Sequence, residues 1–232
     1  MIEIIPAVLS QNYEDLKNKV ALVRGIVPIV QIDLCDGIFV QNKTWPFATG
    51  GGSDTHFQAI LNEQEGMPFW EDIDFEFDLM VADAVENFHI YTKLSPKRVV
   101  FHLEAVGDLE EFKNFIEGMD VYIRDSIQIG LAINTTTPIE QIFPLVNHVD
   151  FVQCMGIEKI GFQAQDFDER VLVQIKTLKE KYPDLIISVD GGVNFETAPE
   201  LIEAGASRLV AGSLILKSQD IREIISELEN LG

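Results

Sequence analysis

Apolar, β-branched runs of strand length recur along the chain at 2–9 (IEIIPAVL), 27–34 (VPIVQIDL), 74–81 (DFEFDLMV), 97–105 (KRVVFHLEA), 126–134 (SIQIGLAIN), 148–156 (HVDFVQCMG), 184–192 (DLIISVDGG) and 206–213 (ASRLVAGS). Between them the apolar period lengthens to that of a helix, at 13–24 (YEDLKNKVALVR), 108–118 (DLEEFKNFIEG), 137–146 (TPIEQIFPLV), 168–182 (DERVLVQIKTLKEKY) and 197–205 (TAPELIEAG), the last closing on a glycine as helices do. Strand and helix therefore alternate, which predicts a parallel sheet closed as a (β/α)8 TIM barrel, with residues 1–232 forming one domain. A doubly wound open sheet is the second choice; it calls for GxGxxG after the first strand, and IPAVLSQNYEDL has none. Two loops break the rhythm. The glycine run in 46–56 (PFATGGGSDTH) is either a lid or a plain flexible loop on the catalytic face. The stretch 63–74 (EQEGMPFWEDID) carries Met67, Phe69 and Trp70 to the opposite face, where exposed aromatics would pack on the barrel bottom or on another subunit.

Length agrees with this reading, since 232 residues suffice for one barrel of about 250. A net charge of −21 argues against nucleic acid or an anionic membrane as partner, so any anionic ligand must be held by local groups. No leader pattern and no apolar run of spanning length is present, which leads to the expectation of a cytoplasmic protein. Cys35 and Cys154 form no CxxC and read as reduced thiols.

Candidate chemistry gathers at strand ends. Asp33 and Asp36 close the second run and Asp190 the seventh, each near a glycine, at the edge of a parallel barrel where catalytic groups collect. Singly, such an aspartate is more often a turn former. Asp190-Gly191-Gly192-Val193-Asn194 and Ala211-Gly212-Ser213 end the last two runs, where backbone N–H groups commonly hold a phosphate; glycine lets the chain come close to the anion.

These residues resemble the ribulose-phosphate 3-epimerase family, in stretches that run almost end to end: PAVLS (6–10), DLCDGIFVQN (33–42), DLMV (78–81), FHLEA (101–105), GLAINTTTP (130–138), DFVQCMG (150–156), GFQAQDF (161–167) and VDGGVNFETAPELIEAGASRLVAGS (189–213). The resemblance implies an isomerase that interconverts ribulose 5-phosphate and xylulose 5-phosphate, or a close phosphosugar, through an enediolate. Asp33 and Asp190 would then carry the C3 proton, Ser10, Met80, Gly191, Gly192, Gly212 and Ser213 would contact the substrate, and the chain would be a homo-oligomer. In the family, two histidines and two aspartates bind a divalent metal within HxDxMDG, DxHLM and VDGG. Here Gln31 and Asp78 stand at the histidine positions, which leaves Gln31, Asp33, Asp78 and Asp190. Ile38, Gln41 and the Gln163-Ala164 pair also depart from the family pattern. None of His56, His89, His102 and His148 replaces the missing ligands by position, and His102 reads as a hydrogen-bonded barrel residue.

Three carboxylates at one barrel mouth repel one another, so either a proton or a cation must join them. An all-oxygen set favours Mg²⁺ or Mn²⁺ over zinc. The alternatives are a metal-free site with Lys43 or Lys159 as its cation, and a non-catalytic relative that only binds a phosphometabolite. A decarboxylase or aldolase of the orotidine-phosphate type needs Asp-x-Lys-x-x-Asp, and DLCDG has no lysine.

Overall fold

The structure, a computed structural model, describes residues 2–48 and 54–232. Eight parallel strands, β1 (Glu3–Val8), β2 (Ile29–Cys35), β3 (Asp74–Met80), β4 (Arg98–His102), β5 (Gln128–Ile133), β6 (Phe151–Met155), β7 (Ile186–Asp190) and β8 (Arg208–Ala211), pair in chain order and close by β8 against β1. The expected TIM barrel is therefore present. Around it run α1 (Tyr13–Val23), α2 (Thr55–Leu61), α3 (Phe88–Tyr91), α4 (Leu109–Glu117), α5 (Val121–Ser126), α6 (Arg170–Lys181), α7 (Ala198–Ala204), α8 (Ser213–Leu216) and α9 (Ile221–Glu229).

Local sequence explains these elements. In α1 the Asn12 side chain accepts from the Asp15 N–H at 2.9 Å, capping the helix, and Leu16, Val20 and Val23 recur on the one face that is buried. Gly205 ends α7 with φ at 117°, as its position predicted. The expected helix over 137–146 is corrected: the segment holds only two short 3₁₀ turns, Ile139–Ile142 and Val146–His148. Pro144 lies between them, and its missing N–H and ring bar a continuous α-helix.

Register sets the level of each inward side chain. Asp33 pairs with Asp78 across β2 and β3, and Met155 with Asp190 across β6 and β7, so both pairs reach the carboxyl ends of the strands together. Gln31, two residues before Asp33 on the same strand, shares its face one layer lower. The described part of the 46–56 loop stops at Ala48 and resumes at Asp54, so the glycine run lies outside the described residues. On the other face, the 63–74 stretch divides. Met67 is buried in the main apolar cluster, Phe69 is half-buried under the Arg24 guanidinium at 4.8 Å, and Trp70 is 61% exposed. Cys35 and Cys154 are free and buried, and burial raises both thiols, Cys154 to about 12.

An ionic layer fills the amino end of the barrel. Arg98 reaches Glu3 at 2.9 Å and Glu76 at 3.4 Å, and Arg208 reaches Glu3 at 2.9 Å. Glu76 is fully buried, and burial outweighs the two arginines to push its carboxyl up to about 7. The folded protein then holds a proton that the unfolded chain releases between its ordinary 4.5 and about 7. Stability from this group is accordingly present at low pH and lost as pH rises through that window, by up to about 3 kcal/mol. We expect Glu76→Gln, which keeps a hydrogen-bonding group beside Arg98, to flatten the fall in melting temperature between pH 5 and 8. An unchanged slope in the variant would assign the titration elsewhere.

Candidate active site

The carboxyl ends of β2, β3 and β7 bring Asp33, Asp78 and Asp190 together, each offering one oxygen within 4.8 Å of the others, and all three are buried. The aspartates are not left bare. The Gln31 amide nitrogen lies between two of them, donating to Asp33 Oδ1 at 2.8 Å and to Asp190 Oδ2 at 2.9 Å. Asp78 faces the opposite partners: His102 Nε2 lies 2.6 Å from its Oδ1, and Gln153 Nε2 donates to its Oδ2 at 2.9 Å. His102 is thus a hydrogen-bonded barrel residue, as its strand context implied. Asp36 stands apart from this set. Its carboxylate accepts from the N–H groups of Ile38, Phe39 and Ala82 at 2.7, 3.0 and 2.8 Å, a turn-forming role that stiffens the mouth of the barrel.

Burial and like charge dominate the electrostatics. Burial, then the charges of Asp190 and Asp78, raise Asp33 well above the carboxylate range; burial and Asp78 push Asp190 up to about 7, against the hydrogen bond from Gln31. Burial alone would lower His102, yet the charge and hydrogen bond of Asp78 more than offset it, and its pKa rises. Around neutrality the Asp33–Asp190 pair therefore retains proton, and the charge and hydrogen bond of Asp78 favour the protonated form of His102.

The buried triad could hold a metal ion. Each carboxylate keeps lone pairs beyond those its hydrogen bonds use, and three oxygens at this spacing suit a hard divalent cation. Gln31 is a different matter. Its amide nitrogen, not its oxygen, faces the carboxylates, and its buried Oε1 has no partner among the described residues. Half a turn of that amide would point its oxygen at two carboxylates, which is favourable only with a cation between them.

Above the triad opens a cavity of about 340 Å³, lined by Asp33, Met80, Asp190, Gly191, Gly192, Gly212, Ser213 and the 161–165 segment. Gly191 and Gly192 take φ of 90° and 69°, a region that disfavours side chains, and the N–H groups of Gly192 and Ser213 find no acceptor among the described residues. Ser10 is fully buried and lies outside the cavity lining, its Oγ without a partner among the described residues. Lys43 and Lys159 do not line the cavity either: the Lys43 chain lies against Gly37, and Lys159 sits 4.8 Å over the Phe162 ring. Two residues escaped the sequence reading: Gln153, which donates to Asp78, and Lys217 on the cavity wall. A polar Gln153 within an apolar strand was the available signal for the first.

A closed parallel barrel with acidic groups at its carboxyl end and a glycine-walled cavity beside them is the arrangement of a TIM-barrel enzyme. Residues 3–216 match the ribulose-phosphate 3-epimerase family. The chain is 31% identical to ribulose-phosphate 3-epimerase of Bacillus subtilis, over 98% of both chains. It is also 29% identical to the cytoplasmic isoform of that enzyme from Oryza sativa, over 97% of this chain and 92% of the relative. The chain belongs to the ribulose-phosphate 3-epimerase family, a family of isomerases acting on carbohydrates. Solved structures of 12% and 14% identity share the fold: KGPDC from Streptococcus mutans, with a TM-score of 0.68 over 100% of this chain and 97% of that one, and 3-hexulose-6-phosphate synthase from Salmonella typhimurium, with 0.67 over 99% and 98%. Among the described residues no helix is long and apolar enough to cross a membrane.

Proposed function

We propose that this chain interconverts ribulose 5-phosphate and xylulose 5-phosphate, with Asp33 and Asp190 as its two proton carriers. The observation that carries this reading is the Gln31-bridged pair, two buried carboxylates at the cavity floor with raised pKa values. Epimerisation beside a ketone needs a base to take the C3 proton and an acid to return one to the other face. A pair that shares a proton near neutrality presents one of each. Removal of the proton leaves negative charge on the sugar oxygens, and the donors closest to that charge are few. Asp78, held by His102 and Gln153, keeps its place beside the pair and provides, with Asp33 and Asp190, the oxygens for a hard divalent ion such as Mg²⁺ or Mn²⁺. When bound, such an ion supplies positive charge against the enediolate. The test is NMR of ribulose 5-phosphate incubated with the protein in D₂O. Deuterium at C3 supports the reading; tight binding without exchange would favour a non-catalytic relative.

The phosphate belongs, on this reading, to the Gly191, Gly192, Gly212 and Ser213 wall. A Cβ on Gly212 would overlap Gln163 Nε2 and crowd the Ala7 carbonyl oxygen at 3.2 Å. Gly212→Val is therefore expected to raise KM for a phosphorylated ketose by about tenfold or more, from lost charge-assisted hydrogen bonds, and to spare its unphosphorylated analogue. Equal effects on both would place the phosphate elsewhere.

A further inference from the structure

We propose that Lys217 is a side-chain ligand for the phosphate dianion, anchoring it at the Gly212–Ser213 end of the cavity. The proposal rests on the phosphosugar reading above and adds to it a residue that binds through charge. Among the described residues, the charged groups lining the cavity are Asp33, Asp190 and Lys217, so Lys217 is its one cation. The two aspartates repel a dianion, and the lysine draws it to the other end of the wall. Lys217 lies one turn beyond Ser213, with its N–H donated to the Ser213 carbonyl oxygen at 3.2 Å, so the lysine rises from the same turn whose Ser213 N–H has no acceptor among the described residues. Its ammonium also has no partner among the described residues. Lys19, by contrast, pairs with Asp15 at 2.8 Å and Lys179 donates to the Leu185 carbonyl oxygen at 2.7 Å, and among the lysines without a partner Lys217 is the one on the cavity wall. In a chain with 38 acidic and 17 basic residues, an unpaired ammonium at a cavity mouth is poised for an anion brought from outside. It also answers how so acidic a protein admits a phosphate, since backbone N–H groups give direction but only partial charge.

The test is calorimetric titration of the full chain with ribulose 5-phosphate, inorganic phosphate and ribulose, for the wild type, Lys217→Gln and Lys217→Arg, with melting temperatures as a check on folding. Lys217→Gln is expected to weaken both phosphate-bearing ligands by about tenfold while leaving ribulose unchanged. Lys217→Arg should restore most of the affinity, and the difference between wild type and Lys217→Gln should shrink in high salt. Wild-type affinity for ribulose 5-phosphate in Lys217→Gln, or equal weakening of ribulose, overturns the proposal. The two readings fail separately. Deuterium exchange at C3 with unchanged affinity in Lys217→Gln removes only the lysine, whereas phosphate binding that depends on Lys217 without any exchange removes only the epimerase. A wild type that binds neither phosphate-bearing ligand overturns both.

Discussion

Asp33→Asn and Asp190→Asn each lower the rate of C3 exchange by about 10³-fold, the scale on which a positioned proton carrier acts, and neither unfolds the protein. The expectation for folding follows from the same burial that suits the residues to catalysis. Asp190 titrates at about 7 rather than its ordinary 3.8, so above neutrality the folded state bears the cost of an ionised carboxylate that the unfolded chain does not. Its depressed contribution is recovered as pH falls below about 7, where the carboxyl is neutral. Asparagine removes the charge and still offers an oxygen to the Gln31 amide, whose hydrogen bond at 2.9 Å is thereby kept. At pH 8 the Asp190→Asn variant should melt no lower than the wild type while its exchange is lowered by about 10³-fold. Two measurements check this, a thermal melt and the D₂O experiment, on one preparation. Near-wild-type exchange in either variant would remove the two-carboxylate mechanism. Loss of exchange together with a large fall in melting temperature would show that the aspartates serve the fold.

The barrel was legible because its strands are buried on both faces and so read as unbroken apolar runs; β2, for example, is buried at every position from Ile29 to Cys35. The 137–146 segment misled because its apolar spacing is helical, while Pro144 forbids the helix that spacing describes. The strand-end aspartates were equally visible, yet a strand-end position does not say where a carboxylate turns: Asp33 joins the cluster and Asp36, three residues on, caps backbone N–H groups. What could not be read was contact across the barrel. Asp78 is held by His102 from β4 and Gln153 from β6, 24 and 75 residues away, and Gln31 spans 159 residues to reach Asp190. Such pairings depend on closure and register, which local periodicity does not encode. Lys217 was missed for a simpler reason, since a lysine in a chain of this composition reads as solvated surface until a cavity is seen beside it.

Gln31 and Asp78 stand where the family resemblance implies imidazoles, and the expected consequence for a bound ion is a preference for harder metals. Zinc affinity depends on softer nitrogen ligands, and the triad of Asp33, Asp78 and Asp190 offers oxygen alone. We expect the isolated protein to hold little tightly bound transition metal, and exchange at C3 to rise with added Mg²⁺ or Mn²⁺ and to fall by about 10²-fold or more in chelator, the scale of losing one group that opposes developing negative charge. Asp78 is the residue to vary, but Asp78→Ala would strand His102 and Gln153 in the barrel interior and could act through the fold. Asp78→Asn avoids that, retaining an acceptor of the same size while removing the charge. Its expected signature is weakened Mn²⁺ binding, read directly by calorimetry, with a melting temperature near that of the wild type. Stoichiometric zinc in the purified protein would overturn the assignment of a hard ion. Full exchange in strong chelator would overturn the need for any ion, and would leave the Gln31 amide donors as the positive dipole ends closest to the reacting pair.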